Sequence, residues 1–320
     1  KEEKERFSKR MRVSRDLAPE ILAMVRSFPK DAHPMELLQS VISYLSGYVQ
    51  HKIHHSATCN CRDTLHQVVQ LASVVAAWQR FRTGNDYVPP RQDLSHGANF
   101  LYMMRGEEPD EFEGRVMDTC LVLHAEHGFN ASTFTARVVA STMSTCYSSI
   151  SAAIGSLYGS LHGGANERAM TMVETIGSRD EAAQWVNNAL DGKQKVMGMG
   201  HRVYKAKDPR SIIMEEFLVE LSKRKNDTRS YDILKEVEKT FRERMEEKGN
   251  PIYPNVDFFS GAVYDLLGIP KILFTPIFAV SRVAGWLAHI LEQRRDNRLY
   301  RPKSLYVGSE AREWVPLDKR

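Results

Sequence analysis

Two histidines and one aspartate stand on turns marked by glycine, proline or asparagine, where a rigid scaffold could hold them around a ligand. The first turn reads Gly159-Ser160-Leu161-His162-Gly163-Gly164-Ala165-Asn166-Glu167. Its glycines let backbone approach a ligand closely, and the pattern predicts a helix starting near Ala165. Free N–H groups at a helix start favour anions and keep a nearby imidazole neutral, able to donate a hydrogen bond. The second turn, Gly198-Met199-Gly200-His201-Arg202-Val203-Tyr204-Lys205, runs on to Asp208-Pro209-Arg210. Histidine beside arginine suits a keto-acid or dicarboxylate, with the guanidinium on a carboxylate and the imidazole on a carbonyl. The third, Asn255-Val256-Asp257-Phe258-Phe259, places a carboxylate against two aromatic rings, where partial desolvation raises its pKa toward that of a useful base. Each has a plainer reading: a glycine turn with an incidental histidine, and helix N-caps at Asp208 and Asp257.

Two further features fit anionic ligands. Arg282 falls inside the apolar run Ile272 to Leu291, where a guanidinium needs an anion, from a side chain or a ligand. His124 and His127 in His124-Ala125-Glu126-His127 share a helix face, but they lack the His-Glu-x-x-His spacing of a zinc helix, and no metal is expected there. Arg301-Pro302-Lys303-Ser304 reads by itself as a solvated turn.

The elements that must carry these residues are helices. Apolar stripes at helical spacing run through Pro34–Leu45, Leu65–Arg82, Glu111–His124, Ala136–Ile154, Ser211–Lys223 and Tyr231–Glu247, and strand signals are scarce. The expected class is mainly α. With 320 residues, two domains or one domain with an insertion are expected. The 42% hydrophobic and 26% charged content is that of a soluble globular protein. A formal charge of +4 without blocks of like charge gives no footing for nucleic acid. Arg282 and His289 make the Ile272–Leu291 run a buried core helix rather than a membrane span. Cys120 and Cys146 are expected as buried thiols. The segment His51 to Cys61, with three histidines and two cysteines, is read as a surface loop, since Cys-x-Cys departs from the usual zinc spacing. The charged N-terminus shows no signal peptide, and the absence of an initial Met allows that the chain is a fragment.

Taken in order, these motifs resemble the citrate synthase family: Leu161 to Glu167, Gly200 to Lys205 with Asp208-Pro209-Arg210, and Asn255-Val256-Asp257. Phe278-Ala279-Val280-Ser281-Arg282 with Gly285 to His289, Arg301-Pro302, His33-Pro34-Met35 and Asn130 to Arg137 extend the resemblance from about residue 30 to 308. It implies a citrate synthase-like multi-helical fold with a large domain over 1–164 and 269–320 and a small domain over 165–268. It also implies an acyltransferase of the tricarboxylic acid cycle that condenses acetyl-CoA with oxaloacetate and hydrolyses citryl-CoA. By that resemblance Asp257 is the base, His162 donates to the thioester oxygen, and His201 polarises the oxaloacetate carbonyl. His127, His162, His201, Arg210 and Arg282 hold oxaloacetate, and Arg301 reaches in from the second subunit of a homodimer. Lys205 lies near the CoA phosphates, and His124 and Glu126 support the residues that touch substrate. No cofactor or metal is implied beyond acetyl-CoA as co-substrate, nor any nucleic acid or membrane partner. The motif variants resemble bacterial and archaeal relatives, which implies the cytoplasm.

The chain departs from that pattern at Ser160, where the family has Pro, and at Met199, where it often has Phe. Bacterial-type members also begin some tens of residues before the point matching Lys1. The nearest alternative is 2-methylcitrate synthase, which uses propionyl-CoA. Its members tend to carry Tyr at the place of His124 and Pro at that of Arg202, so both positions favour acetyl-CoA. One methylene is worth only ~1–3 kcal/mol in a pocket, so mixed activity is compatible with the sequence. A silent CoA- or dicarboxylate-binding relative has no chemical need for His162, His201 and Asp257 together. A domain of a larger citrate-cleaving enzyme would need nucleotide-binding motifs, and none occurs in these residues.

Overall fold

The computed structural model describes residues 1–48, 64–201 and 203–320; the His51–Cys61 segment and Arg202 lie outside the described residues. Among the described residues the chain is all α, and extended backbone pairs only in an isolated bridge between Met199 and Pro254. The helices are α1 (Glu2–Val13), α2 (Pro19–Ser27), α3 (Pro34–Leu45), α4 (Thr64–Arg82), α5 (His96–Arg105), α6 (Glu111–His124) and α7 (Ala131–Ser141). They continue with α8 (Cys146–Tyr158), α9 (Ala165–Ile176), α10 (Arg179–Asp191), α11 (Pro209–Lys225), α12 (Arg229–Glu246), α13 (Val256–Leu266) and α14 (Phe274–Arg295).

Half of the fourteen α-helix starts among the described residues carry a side-chain cap. His33 and Glu36 close a reciprocal capping box on α3 with Pro34 in the first turn. Side chains of Ser95, Asp110, Asn130, Thr145, Asp208 and Asn255 cap α5, α6, α7, α8, α11 and α13.

One expectation is corrected. The stripe from Ala136 to Ile154 is two helices rather than one, because α7 ends at Ser141 and Thr145 caps a new helix. Met143 between them takes a left-handed φ of 62°. The apolar spacing survives the break because α7 and α8 both pack on α14.

α14 is the core of the first packing group, in contact with α4, α6, α7 and α8, with Val283, Trp286 and Ile290 fully enclosed. Together with the turn before it, this helix is long and apolar enough to cross a membrane. Yet 72% of its apolar window is buried inside the protein, as in a core helix. Cys120 and Cys146 are both buried, as expected.

The second group pairs α11 with α13, α10 with α12, and α9 with α13. The groups meet where Cys120 Sγ of α6 lies 3.7 Å from Met214 Sδ of α11. They meet again where the Glu167 carboxylate of α9 accepts from the backbone N–H (3.1 Å) and hydroxyl of Thr275 on α14.

Gly285 is required where α14 meets the turn after α6. Its N–H donates to Ala125 O at 3.1 Å, and a Cβ there would overlap that same carbonyl and lie 3.2 Å from Glu126 Cα. Both obstacles are backbone and neither can swing away. Gly285→Ala is therefore expected to cost on the order of 1–3 kcal/mol in urea unfolding, the scale of overpacking, and to displace the turn that carries His127.

Candidate active site

A cleft of about 1030 Å³ opens between the two packing groups. From the first group come Glu126 and His127 after α6, the turn into α7, His162 after α8, and Phe278 and Arg282 of α14. From the second come His201, Val203 and Tyr204, Arg210 at the start of α11, and Val256 and Asp257 at the start of α13. Seven residues singled out from the sequence thus share one cleft: Glu126, His127, His162, His201, Arg210, Asp257 and Arg282. Lys205 is exposed outside this lining. Arg301 lies on the exposed C-terminal segment and is not among the residues that line the cleft of its own chain.

The histidines are neutral and their protons are placed by neighbours. His162 sits in a tight turn closed by its N–H and that of Gly163 on Gly159 O, both at 2.9 Å, and Gly164 takes a φ of +72° before α9. Its Nε2 accepts the Ser132 N–H (3.2 Å) and lies 2.9 Å from Ser132 Oγ. An atom that accepts an amide hydrogen cannot carry its own, so the proton is on Nδ1. Trp286 Nε1 donates to the same Ser132 hydroxyl at 3.1 Å. His201 is fixed in the opposite sense: Nδ1 accepts from Val203 N–H (3.0 Å) and Tyr204 N–H (3.2 Å), leaving Nε2–H as the donor. Burial lowers both histidines below their ordinary value of 6.5, reinforced by Arg282 at His162 and by Arg210 at His201. His127 is lowered by burial, Arg210, His201 and Arg282.

Arg282 is buried. Nε donates to His124 O at 2.6 Å, and the guanidinium lies 4.6 Å from the Phe278 ring centre, without a carboxylate at ion-pair distance among the described residues. Burial and then the like charge of Arg210 bring its pKa to about 10. Such a cation facing a cleft is matched to an anionic ligand. His124 is fully enclosed behind Phe278, its ring centre 4.9 Å from that ring, and its Nδ1 lies 2.8 Å from Cys120 O. Burial brings it to about 4. Glu126 accepts from Gly128 N–H and lies 3.0 Å from His289 Nε2, which braces the turn before His127.

Asp257 occupies the first turn of α13, and its carboxylate makes no hydrogen bond among the described residues. Burial raises its pKa above the ordinary 3.8, against the pull of Arg210 and Arg282.

Asp208, which the sequence shows only as a helix cap, has a wider role. Its fully buried carboxylate accepts from Arg210 N (3.0 Å), Arg210 Nε (3.0 Å) and Arg210 Nη2 (2.7 Å), and also from Val256 N (3.2 Å). One side chain therefore orients Arg210 and caps the helix that bears Asp257. Ser132, Trp286 and Tyr204 also acquire parts that their motifs do not disclose, since a hydrogen bond across 30 or more residues leaves no spacing to read.

An all-α scaffold that aims neutral imidazole donors, uncompensated arginine and a desolvated carboxylate into one cleft defines an acid–base enzyme for anionic substrates. The family model for the citrate synthase C-terminal domain matches residues 1–303. A curated citrate synthase of Deinococcus radiodurans is 42% identical over 319 residues, covering 100% of this chain and 84% of that protein. The 2-methylcitrate synthase 2 of Corynebacterium glutamicum is 42% identical, covering 98% and 82%. Among solved structures, the ternary complex of citrate synthase from Thermoplasma acidophilum with carboxymethyl coenzyme A and oxaloacetate has a TM-score of 0.90 at 29% identity, covering 99% of this chain and 84% of that one. The chain belongs to the citrate synthase family, and its activity is the acyltransferase activity of a citrate synthase. The relatives it matches come from bacteria and archaea.

Proposed function

We propose that the chain condenses acetyl-CoA with oxaloacetate through an enol(ate) and then hydrolyses citryl-CoA, with Asp257, His162 and His201 as the reacting groups. The observation that carries this reading is the opposite proton placement on the two imidazoles, which leaves one N–H donor on each for a substrate oxygen. Asp257 takes a proton from the acyl methyl group, and the raised pKa given by its desolvated position suits a base. His162 Nδ1–H stabilises the developing enolate oxygen. His201 Nε2–H polarises the keto group and supplies the proton as the carbon–carbon bond makes an alkoxide. His127, Arg210 and Arg282 hold the carboxylates, and His124 and Glu126 support them. Lys205 is assigned to the CoA phosphates. Acetyl-CoA is a co-substrate, and no further cofactor or metal is invoked.

The domain reading takes 1–164 with 269–320 as a large domain and 165–268 as a small one closing over the cleft, which excludes water during enolisation. The assembly is a homodimer in which Arg301 enters the neighbouring cleft. Exposure of Leu305 (87%) and Trp314 (78%) on the same C-terminal segment supports a second copy as its cover. The proposed location is the cytoplasm.

Acetyl-CoA is preferred here over propionyl-CoA on the strength of His124, whose ring backs the cleft-lining Phe278 where 2-methylcitrate-type members tend to carry Tyr. Release of free CoA thiol, followed with oxaloacetate and either acyl-CoA, tests both points. Faster release from acetyl-CoA is expected. Faster release from propionyl-CoA would transfer the assignment to 2-methylcitrate synthesis, and release from neither would overturn it.

A further inference from the structure

Tyr204 touches both histidines that face the keto-acid side of the cleft. Its N–H donates to His201 Nδ1 at 3.2 Å, and its hydroxyl lies 3.1 Å from His127 Nε2. The rings of His127, His201 and Tyr204 form one cluster, with centres 5.1 Å apart for the two histidines, 5.6 Å for His127 and Tyr204, and 4.6 Å for His201 and Tyr204. The Arg210 guanidinium lies 6.0 Å from the Tyr204 ring centre. His127 follows α6, whereas Tyr204 precedes α11, so this bond joins the two walls of the cleft.

We propose that Tyr204 is a positioning residue of the keto-acid site, its hydroxyl fixing His127 as an Nδ1–H donor toward a substrate carboxylate. The proposal rests on the oxaloacetate reading above. A phenol is the stronger hydrogen donor of the pair and the imidazole lone pair the stronger acceptor, so the hydroxyl proton selects Nε2 as acceptor. Burial and the cations Arg210 and Arg282 keep the His127 ring neutral, so its single N–H must then sit on Nδ1. Nδ1 has no partner among the described residues, and His127 lines the cleft. Each of the three cleft histidines thereby has its tautomer set from behind: His162 through Ser132, His201 through backbone N–H groups, and His127 through Tyr204. Without the phenol, His127 is free to place its proton on either nitrogen and to rotate, and the carboxylate loses a fixed donor.

The test combines Tyr204→Phe kinetics with nitrogen-15 NMR of the histidine rings in the wild-type chain. Tyr204→Phe is expected to raise the oxaloacetate KM about tenfold, the scale of one hydrogen bond to a charged group. The fall in kcat should be much smaller, and the acetyl-CoA KM should stay in place. An oxaloacetate KM within about twofold of wild type would overturn the proposal, as would a parallel change in both KM values and kcat. The NMR arm does not depend on the variant folding: His127 protonated on Nδ1 is expected, and protonation on Nε2 overturns the proposal. If the wild type releases no thiol, the catalytic reading fails by itself, while the tautomer result still decides the role of Tyr204.

Discussion

Replacing Asp257 with asparagine is expected to slow thiol release by about 10²–10⁴-fold, the usual contribution of a positioned general base. Asparagine keeps the shape and leaves the Asn255 cap on α13 in place, so the helix start should persist. Among the described residues it removes one of the two carboxylates that line the cleft, the other being Glu126, which is already engaged with Gly128 N–H and His289. Oxaloacetate should still bind to the variant, measured by calorimetry, because the arginines and His127 remain. Loss of turnover with binding retained is the signature of a base. A variant within about tenfold of wild type would show that some other group takes the proton. In the wild type the raised pKa of Asp257 predicts an acid limb in kcat/KM above 3.8, since the carboxylate must be ionised to act. The histidines, lowered from 6.5, stay neutral at neutral pH and confine that limb to the region below it.

The second large effect is expected from Asp208→Ala. That carboxylate is wholly buried, and removing it leaves Arg210 without its counter-charge and Val256 N–H without its acceptor. Breaking a buried ion pair by deleting one partner costs about 3–5 kcal/mol. The urea midpoint should fall accordingly, and the oxaloacetate KM should rise because Arg210 is no longer aimed. Asp208→Asn, which keeps one side-chain acceptor, should lose less stability than the alanine variant. Equal losses would mean that charge alone matters at this position, and no loss in either would refute the bracing role. The pH dependence has a definite sign. Burial opposes ionisation of Asp208, but Arg210 and the N–H of Val256 outweigh it and hold the pKa below 3.8. The stability it contributes is therefore complete above pH 3.8 and is lost as pH falls toward the depressed value.

Much of this protein was legible in its sequence because the signals are local. A cap such as Asp208 acts within two residues and apolar stripes repeat every three or four, so the helical class and the bounds of helices such as α3 and α6 could be read directly, whereas the cap of α13 proved to be Asn255 rather than Asp257. The chemistry of Arg282 was legible for a similar reason: a guanidinium in an apolar helix demands an anion wherever the helix packs. The break between α7 and α8 was hidden because both helices turn the same apolar spacing toward α14.

What only the tertiary structure decided is which groups meet. His127, His162 and His201 are separated by tens of residues, and nothing in their spacing says that they share a cleft. Nor does any local pattern show that Asp208 caps α13 as well as α11, that Ser132 sets the proton on His162, or that Gly285 admits the Ala125 carbonyl. These contacts depend on how whole helices pack. Residue type fixes what each group can donate or accept, and helix packing decides what it faces.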